Sequence, residues 1–266
     1  MDDAADGLKR TRRVEFPFHF SPDKKLVHVV AKISDEPGTL ARLTTALGSR
    51  LNLVGTTSYK LGNGTAIFSG IAEVIDEIDD GRDIQKIVSE TKGVVECKVW
   101  QSKNGLLVDQ FHTGLESGLG EPYIMFSTTG LSQTFSNVVK VFGSGGETLL
   151  YLQGKDFATA RFAVYKELLG PNPWDRLSEA AHIYEAQGYG IVTIVRENGG
   201  RSIGFSVRDC FECSGARTNG RSCSFMRGVA VGSIGVVLGV EYKGEETKCR
   251  LKGSRVCEFV LTPVTK

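Results

Sequence analysis

The sequence predicts a mixed α/β (α+β) chain built in two parts. Strand-like and helix-like periods follow one another in the order β-α-β-β-α-β over residues 26–100. That order breaks across "QSKNGLLVDQFHTGLESGLG", residues 101–120. Helical stretches, paired strands and a closing hairpin then fill the rest. These observations divide the chain into an N-terminal extension (1–25), a first domain (26–103), a linker (104–119) and a second domain (120–266).

The first domain is justified element by element. "LVHVVAKI" (26–33) alternates as a strand. In the next stretch, "SDEPGTLARLTTALGSR", Leu40, Leu43 and Leu47 recur at helical spacing. Ser34 or Asp35 is placed to cap that helix, Pro37 suits its first turn, and Gly48 helps end it. "LNLVGTTSYK" and "TAIFSGIAEVI" are strand-like on either side of the turn "LGNG", a hairpin signal. "DEIDDGRD" (76–83) is expected as a solvated loop. "RDIQKIVSE" is a short helix with Ile84, Ile87 and Val88 on one face, and "KGVVECKVWQ" is the last strand. The split βαβ order is that of a ferredoxin-like sheet with helices on one face.

In the second domain "TFSNVVKVFGSG", "DFATARFAVYKELL" and "WDRLSEAAHIYEAQ" are helical. "YGIVTIVREN" and "SIGFSVRDCFEC" are paired strands across "GGR". A helix is expected over 219–238; it takes in most of the apolar run "GVAVGSIGVVLGV" (228–240), which is shorter than the ~18 residues a spanning helix needs. "VEYKGEETKC" and "RVCEFVLTP" close the chain as a hairpin.

Composition sets limits on function. With 41% hydrophobic and 24% charged residues and a net charge of +1, the chain has no global field for nucleic acid or anionic membrane. The basic cluster Lys9–Arg13 is a solvated tail in this reading. The first 20 residues lack the apolar core of a secretory signal, so a cytoplasmic location with reduced thiols is expected. No G-x-S-x-G, G-x4-G-K-[ST] or H-E-x-x-H pattern occurs, and His19, His28, His112 and His182 are scattered. No catalytic residues are assigned.

"DEPGTLARL" sets a helix N-terminus behind a strand, with a glycine that lets the backbone approach a small anion. Together with "LNLVG" opening the second strand, this D-x-P-G-x-L pattern resembles the ACT domain family over residues 26–100. The resemblance implies side-by-side dimers, an amino-acid ligand at the pair interface, and contacts from Asp35, Gly38 and Asn52. It also allows a copy that only dimerises, its pocket empty.

The six cysteines are Cys97, Cys210, Cys213, Cys223, Cys249 and Cys257. Cys97 sits in a strand and is expected to pack. Cys249 and Cys257 flank a turn around Gly253. If the hairpin is centred there, they face each other with Cβ atoms about 4.5–5.5 Å apart. One ion, a disulfide and two packed thiols all remain open at that separation. Glu246 stands three residues before Cys249, and only a bend or bulge turns it to the same side. Cys223, at a helix start, can supply a fourth ligand as a thiolate.

The spacing C-x22-E-x2-C-x7-C resembles the 4-vinyl reductase domain family, and more closely its zinc-bearing form in the sensory domains of phenol-responsive regulators. The resemblance covers about 120–263 and implies a structural zinc on Cys223, Glu246, Cys249 and Cys257. It also implies a hydrophobic pocket for a small aromatic or apolar ligand. Trp174, His182 and Tyr184 are the candidates to line it. Trp174 and His182 stand roughly 80° apart on a helix. Core packing is the competing reading for all three. Cys210 and Cys213, a C-x2-C pair outside that spacing, are candidates for redox chemistry or for a different cluster with Cys223.

The expected function is therefore a non-catalytic, ligand-sensing regulator: a homodimer with zinc, no direct nucleic-acid contact and no membrane span. A cysteine-based redox sensor or structural adaptor is the alternative. A reductase-like enzyme is the third class, with no flavin or nicotinamide site visible to support it.

Overall fold

The computed structural model describes residues 18–75, 81–118, 120–215 and 222–264. Its strands and helices group into two compact units, the chain dividing between Ile124 and Met125.

The first unit contains β1 (Phe18–Phe20), β2 (Leu26–Ser34), α1 (Thr39–Gly48), β3 (Leu51–Lys60), β4 (Thr65–Val74), α2 (Gly81–Glu90), β5 (Val94–Gln101), β6 (Leu106–Val108), β7 (Leu115–Glu116) and β8 (Pro122–Tyr123). Its main sheet is antiparallel in the order β3-β4-β2-β5. That order, with α1 after β2 and α2 after β4, is the ferredoxin-like topology the sequence predicts. Val27, Val29, Ala31 and Ile33 alternate along β2 toward one face, where they pack with Leu43, Leu47, Ile84 and Val88 of the helices. Cys97 packs at the edge of this core, its thiol 3.5 Å from the Gln85 carbonyl oxygen.

Several local expectations are corrected. Neither Ser34 nor Asp35 caps α1: Gly38 precedes it with φ 86°, a left-handed conformation that glycine adopts without a Cβ penalty. Ser34 instead bonds Thr39 Oγ1 at 3.2 Å, and Asp35 pairs with Lys60 at 2.8 Å. Within the expected acidic loop 76–83, residues 81–83 already belong to α2, and 76–80 lie outside the described residues. The basic cluster 9–13 lies outside them too. The stretch expected as a linker carries backbone pairing: β6 pairs with β1, and β7 with β8.

The second unit contains α3 (Thr128–Phe142), α4 (Ser144–Tyr165), α5 (Pro173–Ala186), β9 (Ile191–Glu197), β10 (Ser202–Arg208), α6 (Ser224–Leu238), β11 (Tyr242–Lys248) and β12 (Val256–Pro263). Its sheet is antiparallel in the order β11-β12-β10-β9. "ETLLYLQG", which stands between the first two stretches expected as helices, lies inside the 22-residue α4. The helix expected over 219–238 begins at Ser224, and 219–221 lie outside the described residues. Ile203, Phe205 and Val207 of β10 and Cys257, Phe259 and Leu261 of β12 form the buried face. Helix α6 is buried along most of its length because its glycines admit a neighbouring backbone. A Cβ at Gly228 would meet the Tyr151 carbonyl, and one at Gly232 the Lys155 carbonyl, both on α4. Gly154 of α4 lies equally close to the Phe225 carbonyl. The glycines that weaken this segment's helix signal are what lets α4 and α6 touch.

Candidate metal centre

Five cysteines converge at the N-terminal end of α6. Cys210 ends the extension of β10, and Cys213 closes the single 3-10 turn Phe211–Cys213. Cys223 is the N-cap of α6. Cys249 starts the turn after β11, and Cys257 lies on β12 opposite Val207. All five are buried, between 0% and 7% exposed. Cys213 Sγ lies 2.9 Å from Cys223 Sγ, 3.5 Å from Cys257 and 4.0 Å from Cys249. Cys223 Sγ lies 3.5 Å from both Cys249 and Cys257. Cys210 joins Cys213, Cys223 and Cys257 in a set whose donor atoms all fall within 4.8 Å of one another.

Glu246 arrives by a register shift. Glu246 faces Phe259 while Lys248 faces Glu258, so Thr247 is the extra residue of a bulge. The bulge puts Glu246 and Cys249 on the same side, and with Cys223 their donor atoms lie within 4.8 Å. Both carboxylate oxygens already have donors: Oε1 accepts from the Cys223 N–H at 2.7 Å and Oε2 from Lys252 Nζ at 2.8 Å. Gly253, with φ 91°, lets the hairpin turn back toward Cys257.

A second carboxylate, Glu212, is fully buried and sits inside the C-x2-C pair. Its oxygens accept from the Phe225 N–H at 3.3 Å and the Met226 N–H at 2.8 Å, free donors of the first turn of α6. Negative groups thus gather where the helix dipole is positive. Among the bare thiols the Cys257 pKa is pulled below the ordinary thiol value by hydrogen bonds from Cys210, Cys213, Cys223 and Cys249. The Cys213 and Cys223 thiols are pushed far above it, Cys210 being the first cause for each. A divalent cation would reverse this, since a coordinating thiol is deprotonated outright.

The donor set fits a mononuclear, thiolate-rich ion. A tetrahedral site with metal–sulfur bonds of about 2.3 Å has sulfur–sulfur edges of about 3.8 Å. The separations of 2.9–4.0 Å bracket that edge. Of the sequence-derived ligands, Cys223, Glu246, Cys249 and Cys257 all reach this place. Cys210 and Cys213, set apart in the sequence reading, reach it as well. Their signal was the C-x2-C spacing at a strand end; nothing in the sequence marks Glu212.

The residues expected to line a pocket in the second unit do not come together. Tyr184 is fully buried between Phe162, Tyr189 and Phe205. Burial pushes its hydroxyl pKa well up, with Ser233 and Arg161 as polar neighbours. His182 is exposed on the other side of α5, 3.9 Å from Glu179. Trp174 is half-buried under the Arg196 guanidinium, 3.5 Å from its ring centroid.

In the first unit, Asp35 and Gly38 lie at the Ser34 end of the sheet. Asn52 lies at the far end, opposite Glu73 of β4 and bonded to it at 3.4 Å. Glu73 in turn pairs with Leu26, eight residues before Ser34 on β2, a separation of about 27 Å at strand rise. One chain does not unite these three residues. The sheet face opposite the helices holds a polar group that sequence reasoning missed. Buried His28 bonds Ser69 Oγ at 2.8 Å through Nε2, and its Nδ1 stands 3.8 Å from Asp109. Asp109 also binds His112 Nδ1 at 2.6 Å and accepts from the Phe111 and His112 N–H groups.

The family model of the 4-vinyl reductase domain matches residues 203–263, the stretch that holds all five clustered cysteines. No curated protein sequence matches the chain. Among solved structures the chain is similar to the phenol-responsive sensory domain of the transcription activator PoxR with phenol. Identity there is 13%, over 86% of this chain and 91% of that one, with a TM-score of 0.46. It is similar to a trafficking protein particle complex subunit 3 from Naegleria fowleri covalently bound to palmitic acid. There the identity is 14%, over 52% of this chain and 95% of that one, with a TM-score of 0.42. A vinyl-4-reductase family protein from Methanocaldococcus jannaschii is 20% identical over 54% of this chain and 83% of that one, with a TM-score of 0.37.

Proposed function

We propose that this chain is a non-catalytic, small-molecule-sensing regulatory protein whose second unit is held closed by a structural zinc ion. The observation that carries this reading is the buried five-cysteine cluster inside the stretch matched to the 4-vinyl reductase domain. Four protein donors around one ion leave no position for water or substrate, so the ion ties the hairpin and Cys213 to the start of α6. Four thiolates would leave a charge of about −2, offset by N–H groups of the α6 N-terminus and by Lys252. Around this clasp, residues 120–266 would form a sensory domain of the 4-vinyl reductase type for a small apolar or aromatic ligand.

Residues 26–103 would form an ACT domain joined through 104–119, a dimerising module with room for an amino acid. The support is topological: β3 is an edge strand of the sheet. A second copy paired antiparallel along it would set the Asn52 end of one strand beside the Lys60 end of the other, where Asp35 and Gly38 lie. Among the described residues no helix is long and apolar enough to cross a membrane.

Metal analysis of protein purified without added metal tests the first part: about one zinc per chain is expected. Calorimetric titration with a panel of phenols and amino acids tests the second. No heat with any of them would sink the sensory reading. A second reading, a cysteine redox sensor, is favoured by the 2.9 Å approach of Cys213 to Cys223. It predicts metal-free protein with reversible oxidation of this pair.

A further inference from the structure

Five thiols and a carboxylate compete for the four corners of the zinc site, and assigning those corners rests on the metal reading above. Cys213, Cys223 and Cys257 stand 2.9, 3.5 and 3.5 Å apart, already close to one face of a thiolate tetrahedron. Two further thiols are within reach of the fourth corner. Cys249 lies 3.5 Å from Cys223 and 4.0 Å from Cys213, and Cys210 lies within 4.8 Å of all three. Glu246 is differently placed. It fixes the Cys223 N–H with one oxygen and Lys252 with the other. As a ligand it would have to share with the ion an oxygen that already serves the Cys223 N–H or Lys252, and its bond to that donor would weaken.

We propose that the ion is held by thiolates alone. A triangle of Cys213, Cys223 and Cys257 is completed by Cys249 or Cys210, and Glu246 is a positioning residue outside the coordination sphere. The C-x2-C pair takes the corner that the spacing C-x22-E-x2-C-x7-C gives to the glutamate. Glu246 then acts on the metal through others: it orients the Cys223 backbone and anchors Lys252 against the thiolate charge. A thiolate-only set also favours a soft ion such as zinc or iron over one that prefers oxygen donors.

Cobalt(II) loaded into the full-length protein under reducing conditions reads the donor set directly. Sulfur-to-cobalt charge-transfer absorption grows with the number of thiolates, so losing one of four removes about a quarter of it. The wild type and Glu246→Gln are expected to give the same four-thiolate spectrum, Glu246→Gln with weaker cobalt affinity. The double variant Cys210→Ser/Cys213→Ser leaves Cys223, Cys249 and Cys257 as the thiols of the cluster, and it is expected to lose about a quarter of the charge-transfer intensity or to bind no cobalt at all. A Glu246→Gln spectrum shifted from the wild type, or an unchanged one for the double variant, overturns the assignment. Wild-type protein that takes up neither cobalt nor zinc overturns the metal reading itself. Glu246→Gln leaves every thiol in place, so the outcome does not depend on a cysteine variant that folds.

Discussion

Replacing Gly228 by alanine adds one methyl at the tightest crossing in the second unit. A Cβ there would meet the carbonyl of Tyr151 and, at 2.7 Å, the amide nitrogen of Lys155. Ordinary contact lies near 3.5–4.0 Å, so the shortfall is about 1 Å at the nitrogen and larger at the carbonyl oxygen. Both obstacles are backbone atoms of a continuous helix and cannot rotate aside. Helices α4 and α6 must part, and the approaches at Gly154 and Gly232 open with them. Overpacking costs about 1–3 kcal/mol, and rigid backbone on both sides sets this case near the top of that range. Alanine returns about 1 kcal/mol of helix propensity, leaving a net loss of about 2 kcal/mol. Gly48 is the control: it ends α1 with nothing within 4 Å, and alanine there should be neutral or stabilise by up to about 1 kcal/mol. Each unit carries one of the two tryptophans, Trp100 and Trp174. Urea unfolding followed by Trp174 fluorescence in a Trp100→Phe background reports the second unit alone. A Gly228→Ala protein as stable as its parent would refute the backbone-contact account of α4 and α6.

Two further outcomes concern the buried polar groups. Glu212→Gln keeps the shape but puts an NH2 group against one of the two N–H donors it serves at the start of α6. A loss of about 2–3 kcal/mol is expected, with weaker zinc retention in a chelator competition; an unchanged protein would remove Glu212 from the site's support. For His28, desolvation lowers the folded-state pKa below its ordinary 6.5, against the raising effect of Asp109 and with a further lowering by His112. The unfolded chain therefore binds the proton more tightly, and stability falls as pH drops from about 6.5 toward the folded value. Asp109 is also raised by desolvation, but hydrogen bonds from His112 and Phe111 bring it net below the usual carboxylate value. Its contribution is present above that range and lost only in stronger acid. Denaturation midpoints between about pH 8 and 5 should decline more steeply for the wild type than for His28→Gln, and parallel curves would contradict this.

The ferredoxin-like order was legible because it is written in local periods. Val27, Val29, Ala31 and Ile33 alternate, and Leu43 and Leu47 repeat at helical spacing, whatever the rest of the chain does. The closing hairpin was legible for the same reason, and so was the need for a bulge at Glu246, which the shift at Thr247 supplies. Helix α4 was legible only in pieces because its glycines lower local propensity, and only packing against α6 repays that.

For the site, residue types left one ion, a disulfide and packed thiols open, and the grouping of Cys223, Glu246, Cys249 and Cys257 was what the family resemblance of their spacing implied. Sequence could not say that Cys210 and Cys213 join them. Their approach depends on where β10 ends relative to the start of α6, a relation between segments that the chain leaves unstated. Nor could it show both oxygens of Glu246 occupied by the Cys223 N–H and Lys252, or Glu212 aimed at the same helix start. Hydrogen-bond partners of a buried carboxylate are chosen by three-dimensional neighbours. Which side chains can be ligands was a property of the sequence; which of them stand together, and which other partners they have, was decided by the tertiary fold.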